Sequence, residues 1–146
     1  MPEQSGQDVE QEKLLSWCLG VQQLAAEEGR EAIADQLIGQ LLAHAPMNAD
    51  NQAWPHEAVC NVIEMLSNTD VERGIVVERV NVRGVYSKAP DEGGDQERKL
   101  ARQTREWAEK ATPYVRTSAM LFGLAQSWDS HAEQADTWAA QRALRW

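Results

Sequence analysis

Apolar residues recur along this chain at helical spacing, broken by a few clear stops. The first eight residues, MPEQSGQD, are polar and unpatterned and read as a frayed tail, with residues 9–146 forming one domain. Leu14, Cys18, Val21 and Ala25 fall at steps of four, three and four, and Leu15 and Leu24 widen the stripe. Gly29 is placed to end that helix. Residues 31–44 repeat the theme, with Ile33, Leu37 and Leu41 as the stripe and Ile38 and Leu42 beside it, and Pro46 stops the run. MNADNQAWP is a loop. Pro55 at a first helical position and Glu57 in the first turn then predict a third helix, whose apolar face is Val59, Ile63 and Leu66 flanked by Val62. SNTD offers a cap for the next segment.

Residues 70–82, DVERGIVVERVNV, pull two ways. Six β-branched residues favour a strand. A lone strand would have no partner elsewhere in the chain, and Val71, Ile75 and Val82, with Val76 and Arg79, also fit a helix. The segment therefore reads as a helix, with Gly74 as a packing contact. RGVYSKAPDEGGDQER comes next as a loop leading into a helix from Asp95 to Ala111, with Leu100, Thr104, Trp107 and Ala111 inward. Thr112-Pro113 has the chemistry of a cap and first turn. From 113 to 145 the only breaker is Gly123. That segment is either one helix of roughly 50 Å at about 1.5 Å per residue or a helix kinked at Gly123. Two rows track along it: Val115, Ala119, Phe122, Trp128, Ala132, and Leu121, Leu124, Ala135, Trp138. The fold class is all-α: a single bundle-like domain of five or six helices with a long C-terminal helix. No internal repeat and no low-complexity tract is present.

With 146 residues and 42% hydrophobic side chains, the chain is long enough and apolar enough to fold as one domain. Six Trp against two Tyr and one Phe imply a Trp-rich core or an exposed contact surface. Cys18 and Cys60 are too few for a disulfide framework. No signal peptide is visible and no apolar run approaches a membrane span, so the expected setting is a reducing cytoplasm with no membrane contact. The net charge of −9 is uneven: residues 1–80 hold fourteen acidic and four basic side chains, residues 81–146 nine and ten. An acidic front disfavours nucleic acid or anionic lipid there, and the near-neutral rear leaves room for a local basic stripe.

The glycine pair in DEGGDQ raises the question of a phosphate cradle. Asp91, Glu92 and Asp95 would repel phosphate, no strand precedes the pair and no Lys-Ser/Thr comes after it, so the P-loop pattern fails. The expectation is a turn with positive φ at Gly93 or Gly94, leading into a helix start compensated by carboxylates. The order NVRGV, EGGDQERKLA, REWAEKA, RTSAMLFGLA resembles an uncharacterised helical segment of large bacterial proteins, over about residues 78–140. In such segments an aromatic-Pro pair often precedes the Arg-Thr, where this chain has Tyr114-Val115. The resemblance implies a portable helical module in a bacterial protein and no activity.

Candidate chemistry is sparse. His56 and Cys60 stand four apart, with Cys18 and His44 as the other soft donors upstream, but read as a surface His beside a buried thiol. Asp129, Glu133 and Asp136 near His131 lack the paired Glu-x-x-His of a di-metal site and read as a solvated acidic face. No metal and no cofactor is expected. G-x-S-x-G, H-E-x-x-H and C-x-x-C are absent, and no catalytic residue is assigned. Arg98, Lys99, Arg102 and Arg105, joined by Arg83 and Lys88, form a stripe that could meet phosphates or an acidic partner. The competing reading pairs it with Glu97, Glu106 and Glu109. The favoured function is a non-enzymatic helical interaction module: an adaptor, an accessory subunit or a self-associating protein, with Trp128, Trp138 and Trp146 as partner anchors. The alternatives are a small helical subunit binding nucleic acid through the stripe, and an enzyme with an unrecognised carboxylate or His site.

Overall fold

The computed structural model describes residues 10–82 and 93–144. They form six helices: α1 (Gln11–Glu27), α2 (Glu31–Leu42), α3 (Glu57–Leu66), α4 (Thr69–Val82), α5 (Asp95–Lys110) and α6 (Val115–Leu144). No strand occurs among the described residues, so the β-rich 70–82 segment is helical, as its lack of a partner requires. α6 runs 30 residues straight through Gly123. The polar tail and residues 83–92 of the glycine loop lie outside the described residues.

Several helix ends obey local chemistry. Gly29 has φ +68°, and the N–H groups of Arg30 and Gly29 reach back to the carbonyls of Ala25 and Ala26 at 2.8 and 3.2 Å. This is the left-handed stop that only glycine adopts cheaply. Asn68 caps α4, its Oδ1 accepting from the Val71 N–H at 3.0 Å. Pro55 stands two positions earlier than expected, since α3 starts at Glu57. It comes after a cis peptide bond and precedes the cap residue His56, whose Nδ1 accepts from the Ala58 N–H at 3.1 Å. Asn48 Oδ1 accepts from the Glu57 N–H at 2.9 Å, so the loop itself satisfies the second donor of α3.

α6 begins differently from the expected Thr112-Pro113 cap. Thr112 Oγ1 donates back to the Glu109 carbonyl at 2.5 Å and serves the end of α5. The start of α6 is capped by a residue 52 positions away in sequence: Glu64 of α3 accepts from the Arg116 N–H at 3.0 Å, the Thr117 N–H at 2.8 Å and the Thr117 hydroxyl at 2.9 Å. Arg116 Nε then donates to Glu72 of α4 at 2.5 Å, so α3 and α4 are both tied to one end of α6.

The core gathers Leu14 and Cys18 from α1, Ile38 and Leu42 from α2, Val59, Val62 and Ile63 from α3, Val71 and Ile75 from α4, and Trp107 and Leu121 from α5 and α6. A second cluster, Ala101, Leu124 and Trp128, lies between α5 and α6 against Val76 and Val80. α2 and α4 cross at Gly39 and Gly74. A Cβ on Gly74 would stand 2.5 Å from the Gln36 carbonyl oxygen, and one on Gly39 2.9 Å from Gly74 Cα, so neither helix tolerates a side chain there. Gly74 is the packing contact the sequence suggested.

The apolar stripe of α2 lies on the other side from the one expected, and α6 buries members of both rows that its sequence offered. In α2 the buried row is Ala34, Ile38 and Leu42, and Ile33, Leu37 and Leu41 face outward. In α6 the buried row is Thr117, Leu121, Leu124, Trp128 and Ala132, with Val115, Ala119 and Phe122 exposed. Each helix carries more apolar residues than one neighbouring layer can cover. The neighbour picks the row that meets it, here the α4 backbone for α2 and α5 for α6.

Candidate interaction surface

The outward row of α2 does not stand alone. Trp17, Val21 and Leu24 form the matching row of α1, and the antiparallel pair leaves Trp17 40%, Leu37 52% and Leu41 57% exposed. Between the helices runs a groove of about 470 Å³ lined by Trp17, Val21, Leu37, Ile38, Gln40 and Leu41, closed at one end by His44 and Glu78. His44 Nε2 and Glu78 Oε2 lie 2.9 Å apart there. A smaller hollow of about 260 Å³ continues it past Leu14 and Leu42. Leu24 and Ile33 prolong the two rows toward the α1–α2 turn and are also exposed.

The groove has a rigid floor. Asp35, buried on α2, accepts from Gln22 Nε2 of α1 at 2.8 Å and from Asn68 Nδ2 at 2.9 Å, the residue that caps α4. One carboxylate thus ties α1, α2 and the α4 start together, each oxygen paired, as burial of a charge demands. At the far end of α4, Arg79 lies 4.3 Å above the Trp54 ring and donates to the Ala43 carbonyl at 3.3 Å. Burial lowers its pKa, and the aromatic face opposes that loss of hydration. Trp54 donates to the Ala45 carbonyl at 2.6 Å and packs on Trp107 at 5.9 Å between ring centroids. Trp54 and Trp107 therefore belong to the core.

The residues singled out by sequence are scattered. Trp128 is 6% exposed and packs inside the α5–α6 seam, while Trp138 is 63% exposed near the end of α6. Trp146, Arg83 and Lys88 lie outside the described residues. Arg98 bonds Asp136 and, at 3.2 Å, Asp95; Arg105 bonds Asp129. Asp129 and Asp136 of the α6 acidic face thus pair across the seam with two of the four basic residues of the α5 stripe, with each of these side chains still 41% exposed. Lys99 and Arg102 stay exposed.

The glycine pair belongs to the same seam. Asp136 accepts from the Gly94 N–H at 2.7 Å. The φ of Gly94 is −87°, so the expected left-handed turn does not fall at Gly94. Glycine is needed because a Cβ on Gly94 would lie 2.5 Å from Ala132 Cα. The pair faces a carboxylate of α6 that caps α5, and close approach is its reason.

Neither thiol is poised for chemistry. Burial pushes the Cys18 pKa up to about 11. Burial, aided by the charge of Glu64, pushes Cys60 to about 12. The Cys60 Sγ donates to the Pro55 carbonyl at 3.5 Å, and the His56 ring nitrogen nearest the backbone is taken by its cap bond. Among the described residues no three His, Cys, Asp or Glu side chains gather as metal ligands, and no helix is long and apolar enough to cross a membrane. Compared with models of protein families, curated proteins and solved structures, the chain matches none.

The α1–α2 groove is the feature that sequence reasoning missed. Its signal was present: α2 carries apolar pairs at 33–34, 37–38 and 41–42, two parallel rows where a surface helix needs one.

Proposed function

We propose that the chain is a non-enzymatic helical interaction module whose docking face is the α1–α2 hairpin. The observation that carries this reading is the double outward row, Trp17–Val21–Leu24 against Ile33–Leu37–Leu41, around a groove held rigid by Asp35. A contiguous apolar patch of this kind on a folded domain costs solubility unless a partner covers it. Exposed Trp138 offers a second anchor on α6. The thiols support the non-enzymatic side: held near pKa 11 and 12, they are almost wholly protonated at neutral pH. The nucleic-acid alternative loses ground because Arg98 and Arg105 already neutralise Asp136 and Asp129.

Native mass measurement on the chain recovered from its own cells tests the reading. The expected result is a mass above 16.4 kDa in fixed ratio, falling to the monomer when Leu37→Ser and Leu41→Ser are combined without loss of thermal stability. A wild type found at 16.4 kDa at every concentration overturns it.

A further inference from the structure

We propose that the α1–α2 groove receives a cationic amphipathic helix of another protein; this rests on the interaction reading above and specifies the partner. The first argument is shape. The groove runs between two antiparallel helices whose backbone groups are satisfied within each helix, so it has no unpaired edge to which an extended peptide could add. An arriving helix satisfies its own backbone and needs only to insert side chains at successive turns. The lining residues Trp17 and Val21 on one wall, and Leu37 and Leu41 on the other, are themselves one turn apart and match that rhythm.

The second argument is charge. Residues 10–82 carry twelve acidic and four basic side chains. Three of the four basic groups are committed: Lys13 to Glu10, Arg73 to Asp70, and Arg79 to the buried face of Trp54. Glu78, bonded to His44, lies in the groove wall, and at the α1–α2 turn Glu27, Glu28 and Glu31 outnumber Arg30, the fourth basic group. An apolar groove with a negative rim selects a helix with an apolar stripe and Lys or Arg beside it. The same charge disfavours a symmetric dimer. Two copies meeting through this face would bring the acidic halves of two chains of net charge −9 together.

The test uses the full chain and two labelled designed helices of two heptads each, one of leucine and lysine, the other of leucine and glutamate. Fluorescence anisotropy is expected to show saturable binding of the lysine helix, weakened by added salt, and none of the glutamate helix. The Leu37→Ser/Leu41→Ser variant should bind the lysine helix at least about tenfold more weakly at unchanged melting temperature. Leu41→Ser alone is the milder variant if the pair lowers stability. Equal binding of both helices, lost in the variant, would leave the interaction reading standing and overturn the cationic assignment. Equal binding of the lysine helix by wild type and variant, or binding of neither helix, would overturn the groove assignment. So would a concentration-dependent dimer of the wild type that the variant abolishes, which would make a second copy the occupant.

Discussion

Glu64 is the residue on which the start of α6 depends, and its removal is the sharpest test of the fold argument. Its carboxylate accepts three hydrogen bonds from Arg116 and Thr117, and Thr117 is fully buried. In Glu64→Ala the Thr117 N–H and hydroxyl lose their acceptor in a place water does not reach. Each buried donor left unpaired costs about 1–3 kcal/mol. Loss of a negative charge at a helix N-terminus adds roughly 0.3–1 kcal/mol. These terms overlap, so the expected destabilisation is about 3 kcal/mol, against a total stability of order 5–15 kcal/mol for a domain. Glu64→Gln keeps one acceptor oxygen and should cost about half as much. Urea unfolding followed by Trp fluorescence and by far-ultraviolet circular dichroism gives both values, with exposed Glu12→Ala as a control expected within about 0.5 kcal/mol of wild type. A double-mutant cycle with Thr117→Val should return a coupling energy of at least about 0.5 kcal/mol. A Glu64→Ala protein as stable as the control, or a coupling of zero, would refute the long-range cap.

Three further outcomes are expected. Gly74→Ala should destabilise by about 1–3 kcal/mol because the new methyl meets the α2 backbone, whereas Gly123→Ala, with open space around it inside α6, should stabilise by about 0.8–1 kcal/mol; equal effects would sink the crossing argument. The raised thiol pKa values of about 11 and 12 mean that the folded chain holds protons the unfolded chain releases from pH 9 upward. Stability should therefore be unaffected by the thiols below pH 8 and fall as pH rises from 9 toward 11. Replacing both Cys18 and Cys60 by Ala should flatten that alkaline slope in denaturation curves. Reversing exposed Lys99 and Arg102 to Glu should leave stability within about 0.5 kcal/mol, and the wild type should show no salt-dependent affinity for a random oligonucleotide. Oligonucleotide binding lost in that pair of changes would return the nucleic-acid reading to first place.

The sequence by itself determined the helices, because the rules for starting, continuing and stopping a helix are local. Gly29, Asn68 and the period of apolar residues act within a turn or two of their own position, and the 70–82 segment could be resolved by the absence of any partner strand. Tertiary structure decided which of two apolar rows turns inward on α2 and which members of two rows do so on α6, since the period allows either and only the helix that packs there chooses. It also decided the partners of charged side chains. Arg98 and Arg105 find Asp136 and Asp129 across the α5–α6 seam, and Glu64 finds the start of α6 across the bundle. Those pairings join residues 24 to 53 positions apart, a distance over which local spacing carries no information. The candidate docking face arose in the same way. An outward apolar row becomes a groove only when a second helix lays its own outward row beside it.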